Sequence, residues 1–387
     1  MILIWCVAGA IAGTITGLIP GLHTNNVAVL VMASPFFGAE ITAFMLSMCI
    51  VQTFVDFIPS IYLGAPSPDT FEGVLPGHKM FMQGYAHEAI CLTVFGGIIS
   101  VAIGAALTPL FFLLIEQNSE SVILFTPVVL AFALAMIVGS EKNWKKRVTA
   151  AFVVVAAATQ GMFFYGQIFP LITGYFGIAT IAYSLKEKSF QAKQKGDVNI
   201  EKGFFTSGLI GTAGGALVAV MPGIGSNVAA GIIRTFAEKI SSRAYLVLVG
   251  SINTSNFFFS FATLFALSKA RNGAMIALQE KMILSPEMLW AGTSIMLLAG
   301  GLGGLITIAS SKKAATFFTQ EKTKIISIST ILFMTTLVGV LNGAPGLLAL
   351  AFSTALGLFV AATKVKRTTC MASLIVPALF FYVFILI

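Results

Sequence analysis

The chain reads as a succession of long apolar runs cut by short polar or turn-rich stretches. The runs fall at residues 2–18, 27–37, 41–63, 89–115, 121–139, 148–165 and 168–185. They recur at 204–220, 226–236, 244–267, 287–309, 325–341, 347–362 and 370–387. Several reach the ~20 apolar residues that a helix needs to cross hydrocarbon. Only helices and closed barrels satisfy their backbone groups there, and these runs lack the period-two alternation of barrel strands. The pattern predicts an all-α polytopic membrane protein. It divides into a first membrane repeat at 1–190, a polar linker at 191–202 and a second repeat at 203–387, with about seven membrane segments in each repeat.

Charge bears on how the two short runs, 27–37 and 226–236, are threaded. Basic clusters lie at 141–147 (Lys142, Lys145, Lys146, Arg147), through the polar stretch 186–202, at 310–324 (Lys312, Lys313, Lys322) and at 364–367. The 116–120 connection is acidic, and those at Gln167 and Asn342 carry no charge. If the short runs fold back without crossing, the basic clusters divide between the two sides. If they cross, all four clusters share one side, as the positive-inside rule favours. Crossing gives each half an odd number of spans, so the second half runs upside down. The expectation is an inverted repeat in the cytoplasmic membrane, with broken or re-entrant helices at the short runs.

Composition agrees with this class. Of 387 residues, 57% are hydrophobic and only 10% charged, against about 25% charged in soluble domains. The formal charge of +8 sits in loop clusters rather than on a soluble basic face with interleaved aromatics, which argues against nucleic-acid binding. Cys6, Cys49, Cys91 and Cys370 lie apart inside apolar runs, without metal-ligand or disulfide spacing. The start Met1-Ile2-Leu3-Ile4-Trp5 has no basic n-region, which predicts a permanent first span.

The halves also share a motif. The stretch Gly13 to Leu22 resembles Gly215 to Ile224, and each contains Pro-Gly, as Pro20-Gly21 and Pro222-Gly223. The register persists at near-constant spacing: Thr53 matches Thr254, Leu63 matches Leu264, and Lys79-Met80 matches Lys281-Met282. Proline removes a donor and clashes with the preceding turn, and glycine permits the backbone that follows, so each motif predicts a break. Thr24, Asn25 and Asn26 follow one break, and Gly225, Ser226 and Asn227 follow the other. Hydroxyl and amide residues there cap new short helices, whose positive ends suit a carboxylate or phosphate. Broken helices at matching places in two repeats are a pointer to a transporter's central site. The blander alternative is a kink that serves packing alone. His23 is expected to donate a hydrogen bond beside the first break.

Polar residues inside other runs extend the candidate site. Asp56, with Thr53 close by, sits well within a span, and Asn253, Thr254 and Asn256 occupy the matching region. Intramembrane ionisable groups face a cavity or a partner. Asp56 is therefore a candidate coupling-ion ligand or proton carrier, or else a carboxylate that is paired with Arg234 or buried in its protonated form. Arg234 either neutralises an anionic substrate or snorkels to the interface. The turn-rich stretch 64–73 is too polar for a span and is expected to fold back as a loop. His78, His87 and Glu88 fit no metal-ligand spacing, and no metal or other cofactor is expected. Walker A, G-x-S-x-G and H-E-x-x-H sequences are absent. Energy, if needed, would then come from an ion gradient, of sodium or protons, or from an external partner.

The Gly-x3-Gly-x2-Pro-Gly-Leu motif at Gly13 to Leu22, its partner at Pro222 to Gly225 and the Glu72-Gly73 pair together resemble the large membrane subunit of tripartite tricarboxylate transporters. The Pro-Gly-Leu-His-Thr-Asn form is similar to an archaeal branch of that family. The resemblance covers most of the chain and implies uptake of di- or tricarboxylates. It also implies a small membrane subunit and an extracytoplasmic binding protein as partners. Gly13, Gly17, Pro20, Gly21, Pro222 and Gly223 would frame the site. A secondary permease of organic anions is thus the leading expectation. A translocase of polyprenyl-phosphate lipids, resembled by a related Pro-Gly group, would use the same pocket. An intramembrane enzyme has only the thin pair Asp56 and His23 to offer.

Overall fold

A computed structural model describes residues 1–19, 24–64, 70–185, 194–221, 225–236, 240–270, 272–317 and 320–386. Among these residues the chain is helical, with no strand. In the first half, α1 (Ile2–Leu18), α2 (Thr24–Ala33), α3 (Ala39–Val55), α4 (Phe57–Leu63) and α5 (Phe71–Met82) precede α6 (Ala86–Gln117), α7 (Ser119–Gly139) and α8 (Trp144–Phe163). Then come α9 (Ile168–Ile172), a π-helical stretch (Thr173–Ile178) and α10 (Ala179–Ser184). In the second half, α11 (Phe204–Val220), α12 (Ser226–Phe236), α13 (Ser242–Leu267) and α14 (Gly273–Lys281) precede α15 (Pro286–Phe317) and α16 (Gln320–Thr363). A 3-10 turn (Arg367–Met371) leads into α17 (Ala372–Leu386). The long α16 is two helices joined at Gly343, whose φ of 61° and ψ of −156° break the helical run. Among the described residues, 7 helices are long and apolar enough to cross a membrane.

The two broken helices stop for the same reason. Ile19 (φ −95°, ψ 107°) and Met221 (φ −97°, ψ 115°) are both extended, the conformation that a following proline imposes. α3 and α4 part at Asp56 because Pro59 has no N–H for the Val55 carbonyl. The corresponding stretch of α13 has no proline and runs unbroken.

Helix directions follow from close contacts at glycine. A Cβ on Gly9, Gly13 or Gly17 would meet Phe44, Met48 or Val55 in turn, so α1 and α3 run parallel. Gly211 and Gly215 approach the Leu248 and Ile252 carbonyls, so α11 and α13 are parallel too. Without a hydrophobic drive between helices in lipid, such small residues let backbones pack closely. Gly250 lies on Thr93 and Gly104 on Phe258, so α6 runs parallel to α13. Gly292 lies on Leu46 and Gly303 on Val51, so α15 runs parallel to α3. Conversely, Gly300 faces Val101 while Gly304 faces Val94, so α6 and α15 are antiparallel. Leu46 and Phe261 both border Gly292, Thr53 meets Thr254, and Ile61 of α4 and Leu246 both border Gly77, so the α3–α4 run and α13 are antiparallel as well. These two form the buried centre, with 94% of the apolar window buried in each.

Parallel neighbours require the chain between them to come back. The α1 helix has 17 residues, about 25 Å of rise. After α2, Phe36 packs edge-on against Trp5 with ring centroids 5.2 Å apart, beside the start of α1. In the second half, Arg234 near the end of α12 lies 4.8 Å from the centre of the Tyr245 ring, near the start of α13. Each short helix therefore carries the chain back to the side it came from. The basic connections gather accordingly: Lys146 Nζ donates to the Lys364 carbonyl at 2.9 Å, and Lys366 N–H to Glu141 Oε1 at 2.7 Å. Asn342 meets Gln167 at 3.0 Å at the other end of α8.

Three expectations change. The first short run begins at Thr24 and ends at Ala33 rather than spanning 27–37, because Ser34-Pro35 stops it early. The supposed loop 64–73 becomes helix from Phe71, while 65–69 lie outside the described residues. The supposed loop 310–324 is helical through Phe317 and again from Gln320. Polarity there marks helix ends that outrun the apolar window, and good helix formers such as Lys and Ala continue the turn.

Candidate functional site

The centre of the molecule is a polar patch where α3 and α13 cross. Thr53 and Thr254 share a hydrogen bond at 3.1 Å, and Asn253 Nδ2 donates to the Thr53 carbonyl at 3.1 Å. All three side chains are buried. The ends of both broken helices arrive at this level. Gly17, one residue before the end of α1, packs on Val55, two positions from Thr53. Gly215 of α11 packs on Ser255, the residue after Thr254.

The restarts are anchored to the same pair of helices. Ser226 opens α12 and accepts from Asn256 Nδ2 of α13 at 3.1 Å. The Gly225 carbonyl accepts the Val228 N–H at 3.0 Å, closing the first turn. Asn227 is fully buried at the same end. Thr24 opens α2, is buried, and hydrogen-bonds the Cys49 thiol of α3. Neither α2 nor α12 has an acidic residue in its first turn, so the positive end of each backbone dipole is not offset there.

Asp56 is 5% exposed, at the joint between α3 and α4. Its carbonyl accepts from Ser60 Oγ at 2.7 Å, and Ser60 meets Thr70 at 2.6 Å, just ahead of α5. The centre thus combines one acidic side chain, several hydroxyls and amides, and two helix starts.

Not every sequence candidate is placed. Pro20, Gly21, His23, Pro222 and Gly223 lie outside the described residues, as do the side chains of Asn25 and Asn26. Among the described residues the main packing of the two short helices is separate: α2 lies against α14 and α3, and α12 against α13 and α11. Arg234 lies over Tyr245, towards the linker-side end of α13. His78 Nδ1 meets the Ile61 carbonyl at 2.9 Å, His87 Nδ1 meets Ser311 Oγ at 2.7 Å, and Glu88 pairs with Arg243. These three residues therefore serve separate contacts. Among the described residues no group of His, Cys, Asp and Glu could hold a metal.

The sequence reading missed Gln52 and Thr16. Gln52 is buried, and its Oε1 accepts from Thr16 Oγ1 of α1 at 3.3 Å. The register that pairs Thr53 with Thr254 also pairs Gln52 with Asn253, so the signal was there. It also missed a hydroxyl ladder: Ser100 meets Thr212 at 2.8 Å and donates to the Ser251 carbonyl at 2.8 Å. Lone hydroxyls inside apolar runs carry no such signal.

The chain matches the Tripartite tricarboxylate transporter TctA family over residues 3–372. It belongs to that family. A family member of this kind is a component of a tricarboxylate transporter, and the chain is a multi-pass membrane protein. The chain is also 27% identical to a protein of Methanocaldococcus jannaschii described as "Uncharacterized protein MJ1079", over 342 residues covering 86% of this chain and 85% of the relative. That archaeal relative agrees with the archaeal form of the Pro-Gly motif. No solved structure matches the chain.

Proposed function

We propose that this TctA-family protein is an ion-gradient-coupled permease for di- and tricarboxylates and similar organic anions, built as an inverted repeat. The antiparallel course of α3 against α13, and of α6 against α15, supports the inversion. The observation that carries the reading is the arrival of the ends of α1 and α11, the last described turns before the two Pro-Gly motifs, beside the Thr53–Thr254 contact. Irregular backbone at membrane depth belongs where it lines a cavity or is buried in protein. Two helix starts there give N–H groups to an anion, and the neighbouring hydroxyls and amides complete its hydrogen bonds.

In this reading Thr24, Asn25, Asn26, Gly225, Ser226 and Asn227, with Pro20, Gly21, His23, Pro222 and Gly223, surround the carboxylate groups. Asp56, with Thr53, Asn253, Thr254 and Asn256, carries the coupling sodium ion or proton. An acidic residue so near an anion needs a cation between them, which makes coupling a requirement of the electrostatics rather than an addition. The basic side faces the cytoplasm under the positive-inside rule. A small membrane subunit and an extracytoplasmic binding protein complete the assembly, as the family's tripartite name supports.

The test is uptake of labelled citrate into proteoliposomes with an imposed sodium or proton gradient, with and without the partner subunits. Uptake that follows one gradient and is competed by other di- and tricarboxylates supports the reading. No uptake under any gradient with all partners present, together with flipping of a labelled polyprenyl phosphate, would replace it with the lipid-carrier function.

A further inference from the structure

The outward faces of α8 and of the second part of α16, after Gly343, make an apolar wall with a seam between the two helices. The helices run antiparallel. Lys146 Nζ reaches the Lys364 carbonyl at 2.9 Å, Phe152 packs on Phe359 with ring centroids 6.0 Å apart, and Gln160 Nε2 reaches the Phe352 carbonyl at 3.5 Å. On α8, Trp144, Val148, Phe152 and Val155 are all exposed and recur at the spacing of one helix face. Phe352 and Phe359 are exposed beside them. From Trp144 to Val155 the stripe rises about 16 Å. One leaflet supplies a similar depth of hydrocarbon, half of about 30 Å.

The two ends of this wall differ in charge. At one end, the turns 141–147 and 364–367 hold Lys142, Lys145, Lys146, Arg147, Lys364, Lys366 and Arg367 against one acid, Glu141. Lys142, Lys145, Arg147, Lys364 and Lys366 are exposed. Glu141 is buried, and its Oε1 accepts the Lys366 N–H at 2.7 Å. Ser140 and Lys366 line one cleft with Ile232 of α12, two residues from Arg234, so this end lies on the linker side. At the other end, 160–173 and 339–352 hold no charged residue, and Asn342 meets Gln167. Helix stability does not account for the cations that open α8, because the backbone dipole disfavours positive charge at a helix start. The positive-inside rule asks for basic residues on this side, but not for their gathering at the head of one apolar stripe.

We propose that this corner is a docking surface for an anionic phospholipid of the linker-side leaflet. Lys145 and Lys364, one on each side of the seam, take the phosphate, and an acyl chain lies along the Trp144–Val155 stripe. The pairing of charge with an apolar stripe one leaflet deep is what favours a lipid over a soluble anion, which would leave the stripe unused. Basic pockets between membrane helices on the cytoplasmic side are suited to such head groups, and each lysine near the surface adds roughly fivefold to the attraction. The occupant bridges α8 of the first half and α16 of the second. The inference does not depend on what the protein carries.

Trp144 serves as reporter, since it heads the stripe and is 75% exposed. In the full chain, Trp5→Phe and Trp290→Phe leave it as the one tryptophan. This protein is reconstituted into phosphatidylcholine vesicles. Quenching of Trp144 fluorescence by phosphatidylglycerol with brominated acyl chains is compared with quenching by equally brominated phosphatidylcholine at the same mole fraction. The expected result is a preference of about tenfold for the anionic lipid. Lys145→Gln together with Lys364→Gln should bring the preference close to one. Each single variant should lower it roughly fivefold, and the singles decide the matter if the double variant does not fold. Lys312→Gln with Lys313→Gln removes as much charge beside Ser311, which meets His87 at the linker-side start of α6, and should leave the preference as it was. Equal quenching by the two lipids in the protein with native lysines overturns the proposal. So does a preference that the Lys312 and Lys313 changes abolish as well, since that is a general attraction to a basic face. A preference removed by millimolar inorganic phosphate at constant ionic strength also overturns it, and makes the corner a site for a free anion.

Discussion

Thr53 and Thr254 hold matching positions in the two halves, and their hydroxyls meet at 3.1 Å in the buried centre. A residue touches its own counterpart only on the axis that relates the two. In the inverted-repeat reading, this contact therefore marks the pseudo-twofold axis. Leu46 with Phe261 and Ile61 with Leu246 lie evenly to either side of it. The described ends of α1 and α11 sit beside this point, which in the permease reading is where a substrate would be handed from one orientation to the other.

The first expectation concerns that contact. Thr53→Val and Thr254→Val keep the shape and remove one hydroxyl each. Each should cost about 0.5–1.5 kcal/mol, and the double-mutant cycle should show a coupling of about 0.5 kcal/mol, as is usual for hydroxyl pairs between membrane helices. Unfolding equilibria in bicelles or detergent measure it. Strictly additive losses would mean the two hydroxyls bond elsewhere.

Glycine packing gives a sharper contrast. A Cβ on Gly13 or Gly215 would press on the Met48 or Ile252 carbonyl, which is main chain and cannot turn aside. Gly13→Ala and Gly215→Ala should each destabilise by about 1–3 kcal/mol, the usual cost of overpacking. Gly301, on α15, has nothing within 4 Å of such a Cβ. Gly301→Ala should therefore be neutral or stabilise by up to about 1 kcal/mol, through the helix preference for alanine. Melting temperatures of the purified variants decide between these outcomes.

Much of this architecture is written in local pattern. The runs at 204–220 and 226–236 coincide with α11 and α12, because proline and hydroxyl caps act within a turn of where they stand. The parts that were not legible depend on partners far along the chain. Helix at 310–317 is decided by continuation of a span beyond the apolar window, which hydropathy does not see. Gln52 looks like an isolated polar residue until Thr16 is set against it. The Glu88–Arg243 pair joins residues from different halves, and their charges read separately as ordinary helix-end residues.

Threading is open to direct measurement. Cysteines substituted for Lys142, Lys195 and Lys364 should all react from one face of the membrane, and cysteine at Asn118 from the other. This follows from the return of α2 and α12 across the layer, which puts the basic connections together. Labelling of sealed, oriented vesicles with an impermeant thiol reagent reads the faces. Reaction of the Lys142 and Lys364 positions from opposite faces would remove the odd number of crossings, and with it the inversion.

Asp56 offers the most direct examination of coupling. Its side chain is buried at a helix joint, a few residues from the Thr53–Thr254 contact. Asp56→Asn keeps the size and hydrogen-bonding reach but removes the charge that would bind sodium or a proton. With the partner subunits present, citrate uptake driven by the gradient should fall at least roughly tenfold, and the remaining flux should no longer respond to that gradient. Asp56→Glu should keep some gradient dependence, since the charge survives with its position shifted. A melting temperature near that of the unaltered protein separates loss of coupling from loss of fold. Gradient-driven uptake that persists in Asp56→Asn would make the carboxylate a structural element of the α3–α4 joint, and the coupling charge would then have to be carried elsewhere.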